Sequence, residues 1–374
     1  MARFPSMPFG VMHLVGDTPS IDIVVTPAAR FHALAEARRV RVSASRVASP
    51  LTVVTPSALP PTPSPSADSE RDAMTTIAFI GLGVMGRPMA VNLTRADIDL
   101  TATSRSEKSR ARAADAGVPV VGSISELPSA PDIVVTMLPD SPDVERVLFG
   151  PGGVVARLTS PTLIVDMSTI APGASRSLAE RLAAEGHRML DAPVSGGEAA
   201  AIEGTLSIMV GGDVADLARA RPMLDVVGAT IVHVGPAGSG QVVKAANQLI
   251  VAGNLQMLAE ALVFIEAHGV DAAEALDVIG GGLAGSAALT RKRAALLSRD
   301  FTPGFRLALH NKDLGIVAAS ARERGLALPV ASLVSQLVAS LVARGDGALD
   351  HSALYKLATE LSPLASGPNE TREK

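Results

Sequence analysis

The residues best placed for chemistry sit in a stretch of sequence that is otherwise apolar. In GSGQVVKAANQLI (238–250), Lys244 and Asn247 stand among Val242, Val243, Ala245, Ala246, Leu249 and Ile250. Spaced i, i+3, the two polar side chains share one face of a helix. Only six of the chain's 33 basic residues are lysine, so its surface cations are mostly arginine. A lysine kept in this setting fits proton transfer, because burial lowers an ammonium pKa toward neutrality and a guanidinium cannot deprotonate. The helix alone also allows a lysine that snorkels to the surface or pairs with a carboxylate across a domain interface.

A second pattern is IGLGVMG (80–86), a glycine triplet spaced G-x-G-x-x-G that follows an apolar strand and opens a helix. Each glycine has a physical task. Gly81 turns the chain, Gly83 lets backbone approach a pyrophosphate, and Gly86 lets helix and strand pack closely. Leu82, Val84 and Met85 complete the loop, and the free N–H groups of the helix start favour an anion. The spacing alone is also that of an ordinary glycine turn; its context, strand then helix then strand, is what makes it a dinucleotide site. At the end of the second strand, where an acid would bind a ribose 2′-hydroxyl, the chain has Ser104, Arg105 and Ser106, and the first carboxylate is Glu107. Arginine grips a 2′-phosphate, so NADP(H) is expected over NAD(H); the same position also suits a solvated surface arginine.

These residues need a frame. Short apolar runs at Thr75–Ile80, Asp99–Thr103, Asp132–Leu138 and Thr162–Met167, with a helix at Pro88–Arg95, alternate in the way that builds a parallel sheet covered by helices. Met189–Asp191, Leu206–Val210 and Thr230–Val234 read as further strands. After Gly240 the strands stop, and helical stretches follow, separated by Gly and Pro. We therefore expect an α/β Rossmann domain over 74–237, an all-α domain over 238–365 and a tail over 366–374.

Residues 1–73 differ. Ser49–Ser69 is rich in Pro, Ser and Thr, the composition of a linker or disordered tail. Three readings fit this extension: translation starting at Met74, a targeting peptide carrying Arg30, Arg38, Arg39, Arg41 and Arg46, or a disordered regulatory tail.

Composition removes several classes of function. With no cysteine among 374 residues, disulfides, thiolate nucleophiles and Cys-type metal sites are excluded. Seven scattered histidines lack metal-ligand spacing, so no metal is expected. Aromatics make up 2% and the net charge is -4, which argues against nucleic acid. The longest apolar stretch, Ala245–Ile265, is interrupted by Asn247, Gln248, Asn254, Gln256 and Glu260, so no membrane partner is expected and a cytoplasmic location is.

Six ordered segments then carry a resemblance: GLGVMGRPMA (81–90), TMLPDS (136–141), DMSTIAP (166–172), DAPVSGGEAAAIEGTLSIMVGG (191–212), GSGQVVKAANQ (238–248) and HNKDL (310–314). Over about residues 74–360 the chain resembles the β-hydroxyacid dehydrogenase family, which includes 3-hydroxyisobutyrate dehydrogenase and tartronate semialdehyde reductase. GGLAGS (281–286), FTPGFRLALHNKDL (301–314) and LDHSAL (349–354) are similar to the latter group. The resemblance implies that Met137, Leu138 and Pro139, with Ser168 and Thr169, face the nicotinamide. It implies that Ser195, Gly196 and Gly197, with Thr169, hold a substrate carboxylate. Lys244 matches the family's catalytic lysine, Asn247 a substrate-orienting residue, and Lys312 and Asp313 a pair that closes over cofactor and substrate. The implied activity is NADPH-dependent reduction of tartronate semialdehyde (2-hydroxy-3-oxopropanoate) to glycerate, with Lys244 as the general acid. The alternatives are 3-hydroxyisobutyrate oxidation or reduction of another small semialdehyde, and a non-catalytic NADP-binding module. The long apolar helix Val242–Ala267 implies a homodimer or homotetramer.

Overall fold

The computed structural model describes residues 75–362; the extension 1–73 and the tail 366–374 lie outside them. The first half alternates as β1 (Thr76–Ile80), α1 (Gly86–Arg95), β2 (Asp99–Thr103), α2 (Glu107–Asp115), β3 (Ile133–Thr136), α3 (Ser141–Phe149), β4 (Leu163–Asp166), α4 (Pro172–Ala184) and β5 (Arg188–Asp191). These five strands are parallel, in the order β2-β1-β3-β4-β5. The run TIAFI of β1 is apolar at nearly every position because both faces are covered. Ile77 and Phe79 pack into one core, and Ala78 and Ile80 into another. The chain leaves β1 to one side for β2 and returns to the other side for β3. The crevice at the carboxyl ends of β1 and β3 is the place where such sheets bind ligands.

Beyond β5 the sheet is no longer parallel throughout. After β6 (Val194–Ser195) and α5 (Gly197–Glu203), β7 (Leu206–Gly211) runs antiparallel to both β5 and β6. After α6 (Val214–Val227), β8 (Gly228–Gly235) lies parallel to β7. The two-residue strand β6 is too short to leave a period in the sequence, and it was not expected.

From α7 (Ser239–Ala267) onward the chain is helical: α8 (Ala272–Gly281), α9 (Ala287–Ser298), α10 (Leu307–Glu323), α11 (Pro329–Ala343) and α12 (Leu354–Leu361). By length and composition α7 is able to cross a membrane, despite the polar residues that interrupt it. Its polar residues Lys244, Gln248 and Gln256 are buried among the other elements, and Ala252, Leu255, Ala259 and Leu262 join the helical core.

The start of α7 is fixed to the sheet. The buried Asp191 carboxylate, at the end of β5, accepts from the Gly238 N–H at 2.7 Å and the Gln241 N–H at 2.9 Å. It supplies the carboxylate cap that the helix does not carry in its own sequence. A Cβ on Gly240 would fall 2.3 Å from the Met209 carbonyl oxygen, so only glycine lets the helix lie this close to β7.

Candidate active site

The carboxyl ends of β1, β2 and β3 open into a cavity of about 660 Å³. Gly81, Gly83, Val84, Met85, Gly86, Ser104, Arg105, Ser106, Met137, Leu138 and Pro139 line it. The glycines divide their work as the spacing predicts. Gly81 has φ +114°, and a Cβ there would sit 2.2 Å from the Met137 carbonyl oxygen; one on Gly86 would meet the Gly81 carbonyl oxygen at 1.9 Å. A Cβ on Gly83 would meet nothing within 4 Å, so its missing side chain leaves room for a ligand. Helix α1 begins beside it with no side-chain cap; Arg87 N–H donates to the Gly83 carbonyl oxygen at 3.1 Å and Pro88 has no N–H, so the Met85 and Gly86 N–H groups are the ones left for phosphate. These observations fit a dinucleotide.

At the adenosine end, Ser106 caps α2 by accepting from the Ser109 N–H at 3.3 Å. Arg110, which the sequence did not single out, lines the cavity and donates to the Ser104 carbonyl oxygen at 2.6 Å, holding the turn in shape. The Arg105 side chain is 87% exposed and lies 4.0 Å from Asp143.

Five expected cofactor residues do not line this cavity: Leu82, Ser168, Thr169, Lys312 and Asp313. Leu82 is buried in the core and does not line the cavity. Ser168 is buried too; its hydroxyl accepts from the Leu138 N–H at 2.9 Å, so it shapes the wall from behind. Thr169 does not line the cavity and presents its carbonyl oxygen to Lys312 Nζ at 2.5 Å.

Lys312 and Asp313 belong to a second cluster. Lys312 pairs with Asp313 at 2.9 Å. Asp313 Oδ2 accepts from Gln248 Nε2 at 2.5 Å, and Gln248 Oε1 accepts from both Lys244 Nζ and Asn247 Nδ2 at 2.9 Å. Asn247 Oδ1 accepts from the Ser195 hydroxyl at 3.3 Å. The network therefore brings Lys244, Asn247, Ser195, Lys312 and Asp313 together. Gln248, missing from the sequence expectations, is its hub; the signal for it was its position one helical turn after Lys244. The direction is fixed chemically, since an ammonium only donates and a carboxylate only accepts.

Gly196 and Gly197 have φ +142° and +71°, in the region that favours glycine. Arg291 of α9 donates to the Gly196 carbonyl oxygen, tying this loop to the helical domain. A Cβ on Gly197 would meet nothing within 4 Å, which leaves open space at the loop.

Burial pushes the Lys244 pKa down to about 8; the Asp313 carboxylate opposes this and the Lys312 ammonium adds to it. The group can thus hold or release a proton near neutral pH. At the end of β4, burial raises the Asp166 carboxyl to about 6. Its Oδ1 accepts from Thr136 Oγ1 at 2.7 Å and from the Ser168 N–H at 3.1 Å. The side chain of Gln241, one turn before Lys244, donates to the Ser168 carbonyl oxygen at 2.8 Å and accepts from the Ile170 N–H at 3.0 Å. The loop after β4 is thereby held against the start of α7.

Comparisons with known proteins identify the family. Residues 76–235 match the family model described as the NAD binding domain of 6-phosphogluconate dehydrogenase. Residues 238–358 match the one described as NAD-binding of NADP-dependent 3-hydroxyisobutyrate dehydrogenase. The chain is 42% identical over 280 residues to the 2-hydroxy-3-oxopropionate reductase of Escherichia coli, covering 75% of this chain and 96% of that one. It is 37% identical over 294 residues to the 3-hydroxyisobutyrate dehydrogenase of Pseudomonas aeruginosa, covering 76% and 98%. The solved structure of Mycobacterium tuberculosis 3-hydroxyisobutyrate dehydrogenase with L-serine superposes with a TM-score of 0.70 at 36% identity, covering 76% of this chain and 99% of that one. The chain belongs to the β-hydroxyacid dehydrogenase family of NAD(P)-dependent oxidoreductases.

Proposed function

We propose that the protein reduces tartronate semialdehyde (2-hydroxy-3-oxopropanoate) to glycerate with NADPH, with Lys244 as the general acid. The observation that carries this reading is the buried Lys244 ammonium, hydrogen-bonded at 2.9 Å to Gln248 and joined through it to Asn247, Ser195 and Asp313. The name of the E. coli relative supports the choice of substrate.

The cofactor, when bound, supplies the hydride to the aldehyde carbon. Lys244 Nζ gives a proton to the oxygen that becomes the alcohol, and its charge stabilises the developing alkoxide. The Gly196–Gly197 backbone and the Ser195 hydroxyl bind the carboxylate, and Asn247 orients the substrate hydroxyl. Gln248 and Asp313 hold the ammonium in place and in its charged form. Arg105, with the Ser104 and Ser106 hydroxyls, takes the 2′-phosphate that distinguishes NADPH from NADH.

We also propose that a second copy of the chain covers α7. Val243, Ile250, Met257 and Phe264 recur every seventh residue and are 38%, 62%, 54% and 66% exposed. A stripe of that kind is what a facing helix buries.

The test is NADPH oxidation by the purified protein with tartronate, methylmalonate and succinate semialdehydes in parallel, with light scattering on the same sample. Preference for tartronate semialdehyde and a mass of two or four chains are expected. Preference for another semialdehyde overturns the substrate, no oxidation with any of them overturns the catalytic reading, and a single-chain mass overturns the assembly.

A further inference from the structure

We propose that Asp350 is a positioning residue for the dinucleotide, holding from behind the one loop of the helical domain that faces the cofactor cavity. Pro303, Gly304, Phe305 and Arg306 line that cavity opposite the glycine loop and Ser104–Ser106. Among the described residues, no hydrogen bond joins these four to the strands across the cleft. Their position is set from within the helical domain.

Asp350 is 1% exposed and sits directly behind them. Its Oδ2 accepts from the Gly304 and Phe305 N–H groups, each at 2.9 Å, and from Lys292 Nζ at 2.8 Å. Its Oδ1 accepts from the Ser352 N–H at 3.0 Å and the Ser352 hydroxyl at 2.7 Å. The backbone adds a short antiparallel clasp: Asp350 N–H to the Phe301 carbonyl, His351 N–H to the Phe305 carbonyl, and Leu307 N–H to the Leu349 carbonyl. One carboxylate therefore divides its two oxygens between the cofactor-facing loop and the turn that starts the last helix.

The same clasp reaches the lysine cluster. The Phe305 ring packs edge-on against His310 and His351 at 5.7 and 5.4 Å. His310 Nε2 lies 3.1 Å from the Gln248 carbonyl oxygen and His351 Nδ1 lies 3.2 Å from His310 Nδ1. A carbonyl only accepts, so His310 carries its proton on Nε2 and takes one from His351 Nδ1. Asp350 thus holds the cavity wall in register with the helix that bears Lys244, while touching neither cofactor nor substrate itself.

This inference rests on the cavity taking a nicotinamide dinucleotide. The experiment titrates the full-length protein with NADPH and with NADH, following nicotinamide fluorescence, and measures steady-state kinetics at saturating cofactor. If the unaltered protein binds neither nucleotide, the cofactor reading fails and this inference falls with it, an outcome distinct from the mutant effects. An amide at 350 has only one oxygen, so Asp350→Asn cannot serve both sets of donors. It is expected to raise the dissociation constant of the preferred nucleotide about tenfold, the loss of one or two charge-assisted hydrogen bonds, with kcat at saturation within about threefold. Ser352→Ala removes only an Oδ1 contact and is expected to leave nucleotide binding within about twofold. Unchanged nucleotide binding in Asp350→Asn, or an equal rise in Ser352→Ala, overturns the proposal. If Asp350→Asn does not fold, Lys292→Met decides: about a threefold weakening supports the proposal, and none overturns it.

Discussion

The two halves of the site are made from different material. At the ends of β1, β2 and β3, the cavity wall around Gly81, Gly83 and Gly86 is largely backbone, and the missing side chains are what fit it for a ligand. The lysine cluster is made of side chains: Ser195 from β6, Lys244, Asn247 and Gln248 from α7, and Lys312 and Asp313 from α10. A site made of backbone depends on conformation and tolerates changes in most neighbouring side chains. A site made of a side-chain chain fails at whichever link is cut. If that contrast is right, damage to the cluster should abolish turnover while leaving nucleotide binding intact.

The largest effect tests this directly. Lys244→Met should lower kcat by about 10²- to 10⁴-fold, the usual worth of a positioned proton donor, with nucleotide affinity within about twofold. Lys244→Arg separates the two roles of the ammonium, because it keeps the charge but does not surrender a proton. If Arg restores most of the rate, the group stabilises charge and does not deliver the proton. The pH dependence has a definite sign. Reduction needs the ammonium, so its rate should be full below about 8 and fall as pH rises through that value, where Lys244 titrates. The reverse oxidation needs the free amine and should rise over the same range. A pH profile of Lys244→Met that kept this limb would assign it to another group. An equal loss of turnover and nucleotide binding would break the comparison of the two halves.

Gln248 gives a smaller and more discriminating test. Its side chain is the only bridge among the described residues between Lys244 and Asp313. Gln248→Met keeps the volume but removes the oxygen that accepts from the ammonium and the N–H group that satisfies Asp313. The charged form of Lys244 loses a partner, so the descending limb for reduction should move to lower pH, and kcat should fall roughly tenfold or more. Leaving buried polar groups unpaired should also cost about 1–3 kcal/mol of stability, read as a lower unfolding midpoint. A variant with the wild-type pH profile would mean that the bridge does not tune the lysine.

The same contrast explains what was legible in the sequence. The glycine loop was readable because backbone conformation is dictated locally: Gly81 at φ +114° and the close approaches of Gly81 and Gly86 leave a contiguous signature. The strands β1, β3 and β4 were readable because burial on both faces forces nearly unbroken apolar runs. Gln248 had only a weak local mark, its place one turn after Lys244, since its link to Asp313 spans 65 residues; Asp191 and Asp350 were not readable, because each acts on residues far away in the chain. Asp191 caps a helix that begins 48 residues later, and Asp350 holds a loop 45 or 46 residues earlier. No local pattern marks such a partner. Lys312 and Asp313 came only from the family resemblance; by themselves they look like a solvated pair on a helix, although Asp313 is 2% exposed. Ser168 was assigned to the nicotinamide by the resemblance, while its hydroxyl is bound to the Leu138 backbone instead.

The smallest expected effect falls on the backbone-built half, at the most exposed of the cations that line it beside Asp143, Arg105 at 87% against 62% for Arg146. Arg105 is 87% exposed and has Asp143 4.0 Å away, so water and a competing carboxylate both weaken its hold on a phosphate. Arg105→Ala should weaken NADPH binding by about tenfold and leave NADH binding unchanged, since only NADPH carries the 2′-phosphate. The difference between variant and wild type should shrink as salt is raised, because an exposed pair is screened within about 10 Å at 0.1 M ionic strength. Asp143→Asn should act in the opposite direction by freeing Arg105 from its neighbour, with a gain of no more than about threefold. If NADPH and NADH weaken equally in Arg105→Ala, the residue supports the adenosine turn in general. Discrimination would then fall to Arg110, whose guanidinium lines the same end of the cavity but already donates to the Ser104 and Arg105 carbonyl oxygens at 2.6 and 3.2 Å.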